Sequence, residues 1–395
     1  RDGFAGAIHL VDPGLGEVQG IPCVASLASI DEPPDLALVA ADAEQVPGLV
    51  RECGENGISS VVVVSGGFAE TGKRGLALQE ELTDTARAYG IHLVGPNCLG
   101  VLRPSAQVNA SLAPSPVREG HVALVTQSGA FACALLDWAD SNGFGFSAVA
   151  SMGSTSDVRL GDVLDYLATD PRTRSILLNV ENIADARTFL SGLRVAARLK
   201  PVIVVKSGRN EAGQRAARLS WGPAAGDDRV FDAAIRRAGA VRVTVVSQLF
   251  EAARILASGV RVEGNRLAVV TNGGGPGVMA ADWAGDVGVP MAELSAETIT
   301  QIKALLPPYW SPANPVDLLG DAGPERYQRA VELLCADDHV DGVLALLTPQ
   351  AATDAAACAE AVISAAAGAV KPVLASWMGE QLVASARRSF AGAGV

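Results

Sequence analysis

The most constraining feature of this chain is a set of short Val, Ile and Leu runs that do not alternate with polar residues. In Ile176-Leu177-Leu178-Asn179-Val180 and Val202-Ile203-Val204-Val205 nearly every successive position is apolar. A strand with one wet face alternates, so such runs belong to parallel strands covered on both faces. The pattern predicts strands over residues 7–11, 36–40, 61–64, 92–94, 122–126, 147–151, 175–180, 202–206, 267–271, 342–347 and 372–376. Ala- and Leu-rich stretches at 44–56, 75–89, 130–142 and 324–336 read as helices between them. Strands that alternate with helices give an α/β, doubly wound fold.

Length and composition narrow the class. At about 150 residues per domain, 395 residues make two to three domains. Lys plus Arg is 31 and Asp plus Glu is 43, for a net charge of −12, which argues against a nucleic-acid partner. An apolar share of 49% with 19% charged residues excludes a disordered chain. No apolar run of about 18 residues suggests a membrane span, and no signal peptide is expected. Cys23, Cys53, Cys98, Cys133, Cys335 and Cys358 form no CxxC pair. They read as buried thiols of a cytoplasmic protein, with no metal site expected. The chain begins at Arg1, so its natural N-terminus is expected elsewhere.

Punctuation suggests three domains. Ala113-Pro114-Ser115-Pro116 is a linker signal, and the polar stretch 258–265 is a second. The expected division is 1–113, 114–260 and 261–395. An internal repeat links the last two. Val122-Ala123-Leu124-Val125-Thr126-Gln127-Ser128-Gly129 resembles Leu267-Ala268-Val269-Val270-Thr271-Asn272-Gly273-Gly274, and Lys200-Pro201-Val202 resembles Lys371-Pro372-Val373. Two similar flavodoxin-like domains are expected after an N-terminal one.

Candidate chemistry lies at the predicted strand ends, where open parallel sheets bind ligands. The first segment reads as a Rossmann unit lacking its first strand and Gly-rich loop, since no GxGxxG precedes Ala7. A nicotinamide-dependent oxidoreductase therefore carries little weight. Thr126-Gln127-Ser128-Gly129-Ala130 reads as strand, turn and helix start, and the free N–H groups of a helix N-terminus bind anions. The plain alternative is Ser128 as an N-cap. Thr271-Asn272-Gly273-Gly274-Gly275 is a second candidate anion site or else a structural crossing. Glu181 ends a buried strand, where a carboxylate needs a partner, for instance Lys206 or Arg209.

Placed in order, these pieces resemble the NDP-forming acyl-CoA synthetases, the superfamily of the succinyl-CoA synthetase α subunit. The residues that carry the resemblance are Ser65-Gly66-Gly67-Phe68-Ala69-Glu70, Gly95-Pro96-Asn97-Cys98-Leu99-Gly100, Thr126-Gln127-Ser128-Gly129-Ala130, Lys206-Ser207-Gly208-Arg209 and Asn314-Pro315-Val316-Asp317-Leu318. The resemblance implies that coenzyme A or acetyl-CoA binds the N-terminal domain, at Val39, Ala40, Ala41, Val64, Ser65, Gly66, Gly67, Pro96, Asn97 and Cys98. It implies that an acyl phosphate passes its phosphoryl group to a histidine, and that an ATP-grasp domain, fused or separate, moves it to a nucleoside diphosphate. Ser128 and Gly129 match the helix N-terminus that faces the phosphoryl group. Glu181 matches the glutamate that holds the imidazole.

The histidine departs from the family pattern. Where the family reads Ser-His-Thr-Gly-Ala-Leu-Ala-Gly, this chain reads Leu219-Ser220-Trp221-Gly222-Pro223-Ala224-Ala225-Gly226. Ser220 therefore stands in the histidine position, and none of His9, His92, His121 and His339 is placed to substitute. A serine phosphate ester lacks the transfer potential of a phosphoramidate. Within the superfamily the sequence looks most like the synthetase-like region of bacterial Gcn5-related protein lysine acetyltransferases. The expected function is thus a degenerate synthetase-like module that binds CoA or acetyl-CoA and regulates an acetyltransferase domain, as one piece of a larger protein. The alternative is the α-like part of an active ADP-forming acetate–CoA ligase. A homo-oligomer is compatible with both.

Overall fold

A computed structural model describes residues 3–221, 226–257, 262–307 and 313–395. The fold separates into two compact units, Arg1–Ala257 and Ser258–Val395.

The first unit opens with three short strands, β1 (Leu10–Val11), β2 (Glu17–Val18) and β3 (Ile21–Val24), in the order β1-β3-β2. A parallel sheet follows, made of β4 (Ala37–Val39), β5 (Ser60–Val63) and β6 (His92–Val94) in sequential order. Helices Val46–Glu55 and Lys73–Ala88 cross between these strands. Val46, Val50, Val61, Val63, Leu82 and Leu93 close their core. The first helix carries Pro47 within its first turn, where a missing N–H costs no helix bond.

Seven strands form the second sheet: β7 (Gly100–Arg103), β8 (Val108–Ser111), β9 (Glu119–Thr126), β10 (Phe146–Ser151), β11 (Ser175–Val180), β12 (Val202–Lys206) and β13 (Val241–Val243). Their order is β13-β12-β11-β9-β10-β7-β8. Leaving out the antiparallel pair β7-β8, the parallel strands run second, first, third, fourth, fifth, which is the flavodoxin-like order. Core side chains lie on both faces, as the apolar runs require. The structure departs from the sequence expectation at the boundary. Residues 100–111 precede the Pro-rich linker, yet β7 pairs antiparallel with β10 and belongs to this second sheet. The pair is hard to foresee because β7 is four residues long and alternates between buried and half-buried positions.

The second unit holds β14 (Leu267–Thr271), β15 (Val316–Asp317), β16 (Gly342–Leu347) and β17 (Val373–Trp377), all parallel, in the order β15-β14-β16-β17. This is the same second-first-third-fourth order, and the repeat extends to individual bonds. The Met152 amide donates to the Thr126 carbonyl at 2.7 Å, and the Leu318 amide donates to the Thr271 carbonyl at 2.6 Å. Gly153 and Leu319, next in each chain, both take positive φ, of 54° and 68°. Lys200 Nζ donates to the carbonyl of Asp170, and Lys371 Nζ donates to that of Asp337. Asp185 and Asp354 cap the equivalent helices Ala186–Leu199 and Ala355–Ala367.

Candidate functional site

Two groups of loops meet at the carboxyl ends of the strands in the first unit. The first group follows β4, β5 and β6. Ser65 ties it together: its hydroxyl donates to the Ala41 carbonyl at 2.6 Å and accepts from the Ala41 amide at 3.0 Å. The Asn97 amide donates to the Ser65 carbonyl at 2.8 Å, and the Val64 amide to the Val39 carbonyl at 3.1 Å. The structure therefore brings all three sequence-predicted binding loops to one place. Ala40, Gly66 and Asn97 are exposed there, with Ala41, Ser65 and Gly67 half-buried. Val39, Val64, Pro96 and Cys98 are buried behind them and form the backing. Cys98 donates its thiol to the Val63 carbonyl, and burial pushes its pKa up to about 12, so it stays a thiol.

The second group sits where β9 and β11 lie side by side and their helices leave to opposite faces, the crevice where flavodoxin-like sheets bind ligands. Thr126 at the end of β9 accepts from the Ser128 amide at 3.0 Å and donates to Asn179 on β11 at 2.9 Å. Ser128 caps helix Gly129–Ser141, its hydroxyl accepting from the Phe131 amide at 3.3 Å. The hydroxyl also lies near enough to Glu181 to favour its ionised form. The structure shows Ser128 as the N-cap of this helix, with the predicted carboxylate Glu181 nearby. Burial pushes Glu181 up from 4.5 to about 7, while the Ser128 hydrogen bond pulls it down in part. The ion pair anticipated for Glu181 is not formed among the described residues. Lys206 instead donates to the carbonyls of Ser207 and Gly208 and lies 3.9 Å from Asp228.

The segment 95–99 joins the two groups. The Ser154 amide donates to the Pro96 carbonyl at 2.9 Å, and the Leu99 amide to Ser151 Oγ at 2.9 Å. Gly153 has φ +54°, and a Cβ there would stand 2.1 Å from the Pro96 oxygen, so only glycine fits. A Cβ on Gly129 would lie 3.6 Å from Leu99, which sets the start of the helix against the same segment.

Ser220 falls in the last turn of helix Glu211–Trp221, and its side chain lies outside the described residues, as do residues 222–225. His121 enters β9 five residues before Thr126, about 16 Å away at 3.3 Å per residue. His92 likewise begins β6, at the end away from the loops. Among the described residues no group of three His, Cys, Asp or Glu side chains could hold a metal ion. No helix there is long and apolar enough to cross a membrane.

The second candidate anion site is a structural crossing. Asn272, 1% exposed, accepts from the Thr348 amide at 2.8 Å and donates to the Thr348 carbonyl at 2.8 Å. Gln350 donates to the Asn272 carbonyl at 3.0 Å. Asp317 accepts from the Leu319 amide at 2.9 Å, and its Oδ2 stands 3.1 Å from the point a Cβ on Gly274 would occupy, which puts an acidic side chain beside that helix start. Sequence reasoning assigned no role to Gln127, Gly153 or Glu70, although each lies in or beside a quoted motif. The matching amide side chains of Gln127 and Asn272 in the repeat were the available signal.

Comparison with known proteins follows this geometry. Residues 3–104 match the family described as CoA binding domain, residues 119–256 the succinyl-CoA ligase like flavodoxin domain, and residues 267–392 the ligase-CoA domain. The chain is 40% identical over 392 residues to the ADP-forming acetate–CoA ligase I of Archaeoglobus fulgidus, covering 99% of this chain and 56% of that protein. It thus spans about half the length of that relative. It is 34% identical to the α subunit of ADP-forming acetate–CoA ligase I of Pyrococcus furiosus, over 91% of this chain and 79% of that subunit. A solved acetyl-coenzyme A synthetase 1 of Ca. Korarchaeum cryptofilum, in complex with phosphate and ADP, superposes with a TM-score of 0.93 at 32% identity, covering 100% of this chain and 85% of that one. With matches to the CoA binding and succinyl-CoA ligase like flavodoxin domains, a flavodoxin-like strand order and an α-subunit relative matched along most of both lengths, the chain belongs to the NDP-forming acyl-CoA synthetase family, that of the succinyl-CoA ligases.

Proposed function

We propose that the chain is the α-type portion of an ADP-forming acyl-CoA ligase of the acetate–CoA ligase kind. Its ATP-grasp partner is either a separate subunit or another part of a longer polypeptide. The observation that carries this reading is the 34% identity to an acetate–CoA ligase α subunit, over 79% of that subunit's length.

The residues of the first loop group fit coenzyme A. Gly66 is exposed and bare, so a ligand can approach the backbone there, and Glu70 Oε2 is a buried oxygen without a hydrogen-bond partner that a ligand N–H or O–H would satisfy. Coenzyme A supplies the thiol that becomes the thioester sulfur. On this reading Ser65, Gly66, Gly67 and Asn97 hold the cofactor, and the segment 96–99 leads from it to the crevice. The first amides of helix Gly129–Ser141 stabilise phosphoryl oxygens. Glu181, whose pKa of about 7 lets it hold or release a proton near neutral pH, stands beside the same helix start. The six cysteines are free thiols, which fits the cytoplasm. The complete protein with its ATP-grasp part, given acetyl-CoA, ADP and phosphate, is expected to form ATP. CoA binding by calorimetry without any ATP would overturn the reading.

Ser220 favours a second reading, in which phosphoryl transfer is lost and the region binds acetyl-CoA to regulate a protein lysine acetyltransferase. Labelled ATP separates the two. Acid-labile label on this chain supports the ligase. Label that appears only in Ser220→His supports the degenerate module.

A further inference from the structure

Gln127 stands between the end of β9 and the helix cap Ser128, and its side chain is 7% exposed. Its Oε1 accepts from two successive amides on the neighbouring strand's exit, Glu181 at 2.7 Å and Asn182 at 2.9 Å. Two consecutive N–H groups converge on one oxygen only where the chain turns, so this side chain pins the turn at Glu181. That turn decides where the carboxylate points. Lys206 lies beside Asp228, and neither Lys206 nor Arg209 forms an ion pair with Glu181 among the described residues. The neighbouring Ser128 hydroxyl favours its ionised form.

We propose that Gln127 is a positioning residue that holds the turn at Glu181, so that the carboxylate stays at the N-terminus of helix Gly129–Ser141 instead of swinging into water. The importance of this position rests on the phosphoryl-transfer reading; the tie itself does not. The second unit supplies an internal comparison. Asn272 occupies the equivalent place, and its Oδ1 accepts from the amide of Thr348 at 2.8 Å and the hydroxyl of Thr348 at 3.1 Å. Thr348 is the residue equivalent to Glu181. The side chain shorter by one methylene grips one amide where Gln127 grips two.

The test is the titration of Glu181 by carbon-detected carboxyl NMR on the full chain, with Glu181→Gln used to assign the signal. In the parent the midpoint lies above the ordinary glutamate range. In Gln127→Leu, which removes the acceptor, the midpoint is expected to fall by about one pH unit or more as the carboxylate gains water. Gln127→Asn is expected to fall part of the way. An unchanged midpoint in a folded Gln127→Leu overturns the proposal. Where Gln127→Leu fails to fold because two buried amides lose their partner, Gln127→Asn decides alone, and an unchanged midpoint there overturns it too. The readout needs no catalysis. A shifted midpoint in a protein that forms no ATP keeps the positioning role and removes the ligase reading, while ATP formation with an unchanged midpoint does the reverse.

Discussion

Replacing Glu181 by Gln should stabilise the chain, and only at high pH. The carboxyl titrates at about 7 in the folded chain, against 4.5 when solvated. Each pH unit of separation is worth about 1.4 kcal/mol, so the ionised form carries a ceiling of about 3 kcal/mol. Glu181 is only half-buried, and water screening brings the expected figure to about 2 kcal/mol. The sign follows from the raised value. The folded state holds its proton more tightly, so the contribution of Glu181 to stability is complete below pH 4.5 and is lost as the pH rises through about 7. Gln keeps an oxygen for the Ser128 hydroxyl without the charge. Urea unfolding of parent and variant should therefore give nearly equal stabilities at low pH. Above about pH 8 the variant should be ahead by about 2 kcal/mol. Comparing the pair at each pH cancels the titration of every other group. A difference that does not change with pH, or a variant that is weaker at high pH, would refute burial as the cause.

Two further outcomes follow from the packing. Gly153→Ala places a Cβ 2.1 Å from the Pro96 oxygen at a positive φ, so thermal unfolding should show a loss of about 2–4 kcal/mol; an unchanged melting temperature would contradict the contact. Arg103 donates twice to the buried Asp170, at 2.8 and 2.7 Å, and holds its carboxyl well below the usual range. That stability is present above about pH 4 and is lost as the pH falls below it. Arg103→Ala strands a carboxylate whose side chain is 4% exposed, at a cost of about 3–5 kcal/mol, so acid unfolding should begin at higher pH.

The parallel strands were legible because double-sided burial leaves a mark in composition. β11, buried at every position, appears in the sequence over 175–180 with the same limits as in the structure. The short strands β7, β8 and β15 left no such mark, since their apolar surface is small and their pairing is decided by distant partners. The site was legible in part. Ser128 and Glu181 were marked by their places at strand ends, and the structure places them near one another. That Lys206 would not pair with Glu181 was not legible, because Lys206 finds Asp228 through a helix whose placement the local sequence does not reveal. Gln127 escaped notice because its role lies in two amides of another strand.

The strand β7 has a mechanical consequence. The segment 95–99 carries part of the first loop group and continues directly into β7, which is hydrogen-bonded to β10 across three residue pairs. The loop is therefore a short rod clamped at its far end, not a hinged flap. Asn97 therefore sits three residues from a strand held on both sides, by β8 and β10, and β10 in turn pairs with β9, whose tip carries Thr126 and the start of the crevice. A continuous run of paired strands thus links the backbone of residues 95–99 to the tip of β9.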